Sequence, residues 1–208
     1  MKKTINIPID SIVLEGILTT PSKANGLVIF SHGAGSSRLS PRNNYVADVL
    51  NKAGVATLLF DLLTEEEDQV YENRFDIARL TKRLITVTGW ISKQKDLKSL
   101  SLGYFGSSTG AASALNAAAE LGESISAVVS RGGRPDLAME NLPDVKAPTF
   151  LIVGGWDDVV IGLNEQALAA LTCEKKLEIV PEATHLFEEP GKLEEVAELA
   201  SKWFQKHL

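Results

Sequence analysis

The stretch LSLGYFGSSTGAASALNAAAEL, residues 100–121, changes its pattern at its centre. Leu100–Phe105 is a short, mostly apolar run of strand length. Thr109–Leu121 is an alanine-rich segment of helix length, able to pack closely on a sheet. Between them stands Gly106-Ser107-Ser108-Thr109-Gly110, which fits G-x-S-x-G. A strand–turn–helix around such a centre predicts a sharp, strained turn, with glycines where a side chain would meet neighbouring backbone. The register singles out Ser108 over Ser107, because only Ser108 has a glycine two residues before it and another two after. The helix behind aims its N-terminal dipole at that serine and favours negative charge there.

Working outward, similar apolar runs lie at Gly26–Ser31, Val55–Phe60, Ile125–Val129 and Thr149–Val153, with a weaker one at Leu177–Val180. Continuous apolar runs are what a parallel sheet covered on both faces requires. Helical spacing appears between them at Pro41–Ala53, Phe75–Ile91 and Leu163–Leu171, and again at Leu193–Leu208. Thr4–Asp10 and Ile12–Thr19 alternate instead, and predict an antiparallel pair at the sheet edge. The alternation of strand and helix from Gly26 onward predicts a mainly parallel, doubly wound α/β sheet with an antiparallel N-terminal edge. With no repeat or linker, residues 1–208 read as a single domain.

Composition narrows the function classes. The chain has 208 residues, 44% hydrophobic and 23% charged, enough for one sizeable core. Its net charge of −6 and the lack of a basic stripe argue against a nucleic-acid partner. The acidic run Glu65-Glu66-Glu67-Asp68 reads as a solvated loop. The single cysteine, Cys173, has no internal disulfide partner, and no histidine pair or histidine–carboxylate cluster has metal-ligand spacing. After Met1-Lys2-Lys3 there is no apolar stretch of about 7–15 residues, as a secretory leader needs. Nor does any run reach the ~18 needed to cross a bilayer. The expectation is a cytoplasmic chain without a membrane partner.

A serine hydroxyl is a poor nucleophile at neutral pH and needs an adjacent base. Of the three histidines, His207 closes an amphipathic helix and is expected to be exposed, whereas His32 sits in a glycine turn after the first buried strand. His185 follows the last strand, on the edge shared with Ser108, where open α/β sheets carry their sites. Position and elimination make His185 the base. A carboxylate accepting its second N–H would fix the tautomer. After the strand ending at Val153, Asp157 and Asp158 both qualify by spacing, with Asp61 at another strand end a weaker candidate. An oxyanion requires preformed donors. The N–H of Thr109 is one, and the loop Ser31–Ser37 offers Ala34 as the other, with Gly33 its neighbouring alternative. His32 then shapes that loop.

The set Ser31-His32-Gly33-Ala34-Gly35, Gly106-Ser107-Ser108-Thr109-Gly110, Gly155-Trp156-Asp157 and Ala183-Thr184-His185 resembles the dienelactone-hydrolase-like branch of the α/β-hydrolases. The resemblance runs over nearly the whole chain. It implies an α/β-hydrolase fold, and an ester hydrolase working through an acyl-serine intermediate without a cofactor. In the family's pattern a glycine pair, one variable residue and then the acid follow the strand, which implies Asp157. Ser108 departs from dienelactone hydrolase itself, which uses a cysteine, so the dienelactone substrate does not carry over. A small carboxylic ester, lactone or thioester remains the expected substrate.

Fewer than twenty residues separate Val129 from Thr149, leaving no room for the lid domain that many such enzymes insert. Arg131 and Arg134 follow a strand end on the catalytic edge, and Arg38 and Arg42 follow the Ser31–Ser37 loop. Guanidinium groups bind carboxylate or phosphate through paired hydrogen bonds. Arg131 above all, with Arg38, is therefore expected to meet an anionic group on the substrate; the alternative is pairing with local carboxylates such as Asp136. Trp156 and Phe187 are expected to wall an apolar acyl pocket. Two other readings use the same residues: an acyltransferase or perhydrolase passing the acyl group to another acceptor, and a non-catalytic ligand-binding relative.

Overall fold

Each apolar run becomes a strand of one eight-stranded sheet in the computed structural model, which describes all 208 residues. In chain order the elements are β1 (Lys2–Ile9), β2 (Ile12–Thr19), β3 (Gly26–Ser31), α1 (Pro41–Lys52), β4 (Ala56–Phe60), α2 (Glu65–Asp68) and α3 (Ile77–Ile91). They continue with β5 (Ser101–Ser107), α4 (Thr109–Leu121), β6 (Ala127–Arg131), β7 (Thr149–Gly154), α5 (Asp158–Ala170), β8 (Lys175–Val180) and α6 (Lys192–His207). The strand order is β1-β2-β4-β3-β5-β6-β7-β8. β1 and β2 pair antiparallel, β2 meets β4 antiparallel, and every pairing from β4 to β8 is parallel.

All six residues of β3 are buried, and its side chains divide between two cores. Leu27 and Ile29 join one core with Leu84, Val87 and Leu115 from α3 and α4. Val28 and Phe30 join the other with Leu50, Val196 and Phe204 from α1 and α6. Side chains alternate along a strand, so a run apolar at every position must be covered twice. From β3 the chain winds to β4 on one side and β5 on the other. This reversal opens a crevice beyond the C-terminal ends of β3 and β5, the usual ligand position in open α/β sheets.

Three differences from the sequence reading bear on the site and its surroundings. The acidic run is the short helix α2 rather than a loop: Thr64 caps it in a reciprocal box with Glu67, and Glu67 and Asp68 pair with Arg83 and Arg74. α5 starts at Asp158 rather than Leu163. β6 runs from Ala127 to Arg131, two residues later than its apolar run, because its ladder with β5 extends to Ser107↔Arg131. The β6–β7 connection is short and carries 3₁₀ turns over Pro135–Asp144. No helix is long and apolar enough to cross a membrane.

Candidate active site

Ser108 sits at the junction of β5 and α4 with φ 50° and ψ −124°, a backbone conformation rarely adopted outside glycine. Three backbone hydrogen bonds hold it there. The Ser108 N–H donates to the Arg131 carbonyl at 3.2 Å, while its own carbonyl accepts from Ala111 at 3.1 Å and Arg134 at 3.0 Å. The next glycine matters for its neighbour: a Cβ on Gly110 would run into the Ser31 and His32 carbonyls. That close approach brings the loop after β3 against the turn, and a Cβ on Gly33 would stand 3.0 Å from the Ser108 Cβ.

His185 lies in the loop after β8, and its Nδ1 stands 2.6 Å from Asp157 Oδ2 at the entrance to α5. A carboxylate only accepts, so Nδ1 carries the proton and Nε2 is left with a free lone pair. Asp158 is already the first residue of α5, and Asp61 is taken by the backbone N–H and guanidinium of Arg38. The loop that carries His185 is itself tied down, since the Thr184 N–H donates to Glu189 Oε2 at 3.0 Å. Ser108 and His185 line one cavity of about 490 Å³, together with the Gly33–Ser37 loop, Arg42 and Arg131. No hydrogen bond joins Ser108 to His185 in this resting state; catalytic contacts of this kind commonly close only on substrate.

His32 organises the loop. Its Nε2 accepts the Leu62 N–H at 3.0 Å, so the proton resides on Nδ1, which donates to the Gly33 carbonyl at 3.0 Å. Burial holds this imidazole below its ordinary pKa, outweighing the opposing pull of the Gly33 hydrogen bond and of Asp61 and Asp68. The expected oxyanion donors need a refinement. Thr109 opens α4, so its N–H has no intrahelical acceptor. The Ala34 N–H, however, donates to Thr109 Oγ1 at 2.9 Å, and a substrate oxygen would have to share it with that hydroxyl.

The side chains expected to contact substrate separate into two groups. Arg131 lines the cavity, only 6% exposed, and its Nε and Nη1 are buried without an acceptor. Burial, reinforced by the nearby Arg42, pushes its pKa down to about 10. Arg38 is corrected: Asp61 and Glu15 both hold it, and it borders a neighbouring depression instead. Arg134 pairs with Asp136 through two hydrogen bonds, at 2.9 and 2.8 Å. Phe187 is also corrected, being 1% exposed in the α1–α6 core, away from the cavity wall. Trp156 is 61% exposed and does not line the cavity beside Ser108. His207 is covered rather than exposed, its ring against Trp203 at 4.5 Å.

The sequence reading missed Asn164. Wholly buried on α5, it donates to the Gly133 carbonyl at 3.0 Å and so pins the turn that follows Arg131. A buried polar residue in a helical stripe was the available signal.

A sequence profile of the dienelactone hydrolase family matches residues 14–208. The solved dienelactone hydrolase from Anabaena variabilis is 53% identical, with TM-score 0.97 over 100% of this chain and 98% of that one. Est1E from Butyrivibrio proteoclasticus shares the fold at 18% identity, with TM-score 0.84 over 98% of both chains. A Mycobacterium tuberculosis protein named "Putative phosphoribosyl transferase" is 59% identical over 195 residues, which are 94% of this chain and 44% of that protein. The chain therefore spans less than half the length of that curated relative. The fold is the α/β-hydrolase fold, and the profile match across nearly the whole chain, with 53% identity to a solved member, places the chain in the dienelactone hydrolase family.

Proposed function

We propose that this family member is a serine esterase acting on small carboxylic esters, with Ser108 as nucleophile, His185 as base and Asp157 as its orienting acid. One observation carries the reading: the positive-φ serine faces the same cavity as a histidine whose Nδ1 is bonded to a carboxylate. His185 Nε2 takes the Ser108 Oγ proton as Oγ attacks the ester carbonyl carbon. Asp157 stabilises the resulting imidazolium. The tetrahedral oxygen is met by the Thr109 N–H and by the Ala34 N–H, shared with the Thr109 hydroxyl. Collapse breaks the ester C–O bond, and His185 returns its proton to the departing alcohol. Water, deprotonated by His185, then attacks the acyl carbon; the acyl C–Oγ bond breaks, the acid leaves, and His185 returns the proton to Ser108 Oγ.

The phosphoribosyl transferase name belongs to proteins more than twice as long, and the site proposed here contains the parts of acyl transfer. Delivery of the acyl group to an alcohol or peroxide uses the same first half-reaction, and products formed with those acceptors present separate the two. The test of the proposal is covalent labelling by a fluorophosphonate with peptide mapping. Label on Ser108, absent in Ser108→Ala, and ester turnover reduced about 10⁴-fold or more in that variant are the expected results. Folded protein that takes no label would overturn the reading in favour of a ligand-binding relative.

A further inference from the structure

We infer that the cavity beside Ser108 recognises a phosphate group, and that the preferred ester carries a phosphate monoester on its acyl or alcohol part. The inference rests on the esterase reading for the word ester, and on independent observations for the phosphate. Arg131 is buried in β6 directly opposite Ser107, two of its guanidinium nitrogens lack any acceptor, and the side chain borders the cavity. A buried cation without a partner is costly, so an anion entering the cavity would gain two donors that no protein group satisfies.

A second cation and a second kind of donor converge on the same space. Arg42 lines the cavity close enough to depress the Arg131 pKa, and its one carboxylate partner is the exposed Glu188 at 2.9 Å. Arg42 is also the second residue of α1, whose N-terminus opens on the cavity. There Pro41 has no N–H to give, and Ser40 Oγ takes the Asn43 N–H at 3.3 Å. The Arg42 N–H is thus left for a ligand, backed by the positive end of the helix dipole. Around these groups the wall consists largely of Gly33–Ser37, which lets backbone and hydroxyls approach closely.

Charge selects phosphate over carboxylate. Two guanidinium groups and a helix N-terminus face one exposed carboxylate, leaving a deficit of more than one negative charge. A phosphate monoester brings about −1.5 to −2 at neutral pH and three acceptor oxygens, whereas a carboxylate brings −1 and two. Arg131, even at a pKa of about 10, stays cationic near pH 7.

The anion site is testable without the chemistry. Inorganic phosphate is titrated calorimetrically into the Ser108→Ala protein, with acetate as the carboxylate control. Phosphate should bind at least tenfold more tightly than acetate. Adding Arg131→Met should weaken phosphate about 30-fold or more, as expected for truncating one member of a buried charge pair. Arg42→Gln should weaken it less, and Arg131→Lys, which keeps the charge and guards against a folding defect, should retain part of the affinity. With active enzyme, kcat/KM for 1-acetylglycerol 3-phosphate should exceed that for monoacetylglycerol at least tenfold, and Arg131→Met should move that ratio toward one. Absent phosphate binding, equal binding of acetate, or affinity indifferent to both Arg131 variants and to Arg42→Gln would overturn the inference. Arg131-dependent phosphate binding by a protein that hydrolyses no ester would sustain it while removing the esterase reading.

Discussion

At the position of Ser108 the backbone is held at φ 50° and ψ −124° by hydrogen bonds with Ala111 in α4 and with Arg131 and Arg134 at the end of β6. For a residue with a Cβ this conformation stores about 1–3 kcal/mol. The strain and the hydroxyl can be separated experimentally. Ser108→Ala and Ser108→Gly both abolish the nucleophile, but only glycine relaxes the positive φ. Part of that gain is lost to glycine's greater freedom in the unfolded chain, about 0.5–1 kcal/mol. The Gly variant should therefore be more stable than the Ala variant by about 1 kcal/mol in urea denaturation; a Gly variant less stable than the Ala variant by about 0.5–1 kcal/mol would mean the turn is unstrained. Asp157 permits a parallel test. Asp157→Asn can present an N–H to His185 Nδ1 and so favour the wrong tautomer. Ester turnover should fall by about 10⁴-fold with little loss of fold stability. A reduction under tenfold would mean that His185 does not depend on this carboxylate.

The elements show where a sequence is legible and where it is not. β3 was readable to the residue, because an uninterrupted apolar run bounded by glycine has only one way to sit in a covered sheet. The turn around Ser108 was equally open to reading, since glycines two residues either side mark backbone crowding directly. Hydropathy places β6 two residues early, because its apolar run begins at Ile125 while its pairing is set by β5. That shift hid the environment of Arg131, which hydropathy places in a loop and the ladder places inside a strand. Phe187 and Arg38 failed for a similar reason: spacing puts them near the site, but packing into the α1–α6 core and pairing with Asp61 point them elsewhere. α2 was missed because four acidic residues carry no apolar stripe; its stability comes from the Thr64–Glu67 box and from Arg83 and Arg74. Thr64→Ala removes the acceptor for the Glu67 N–H and should cost about 1 kcal/mol. An unchanged urea midpoint would show that the pairs with Arg83 and Arg74 hold α2 without its cap.

Across the whole molecule, the stability of the fold and the shape of the site meet at His32. Its ring joins the loop after β3 to the segment after β4, accepting from Leu62 and donating to Gly33, so it fixes one wall of the cavity. Protonation would turn Nε2 into a donor facing another donor. Because burial lowers its folded-state pKa, the unfolded chain binds the proton more readily. The stability it contributes is therefore complete above the unfolded value of 6.5 and is lost as pH falls from there toward the lowered folded value. His207 acts in the same sense, its pKa lowered by burial and by Lys206 against the pull of Glu174. Thermal midpoints measured from pH 7.5 down to 5.5 should decline, and the decline should be shallower in His32→Gln. Glutamine does not titrate, and its Oε1 can still accept the Leu62 N–H. His207→Gln measured alongside removes the second contribution and isolates the first. A wild-type slope unaltered by His32→Gln would place the acid sensitivity elsewhere and leave the His32 contacts as packing alone.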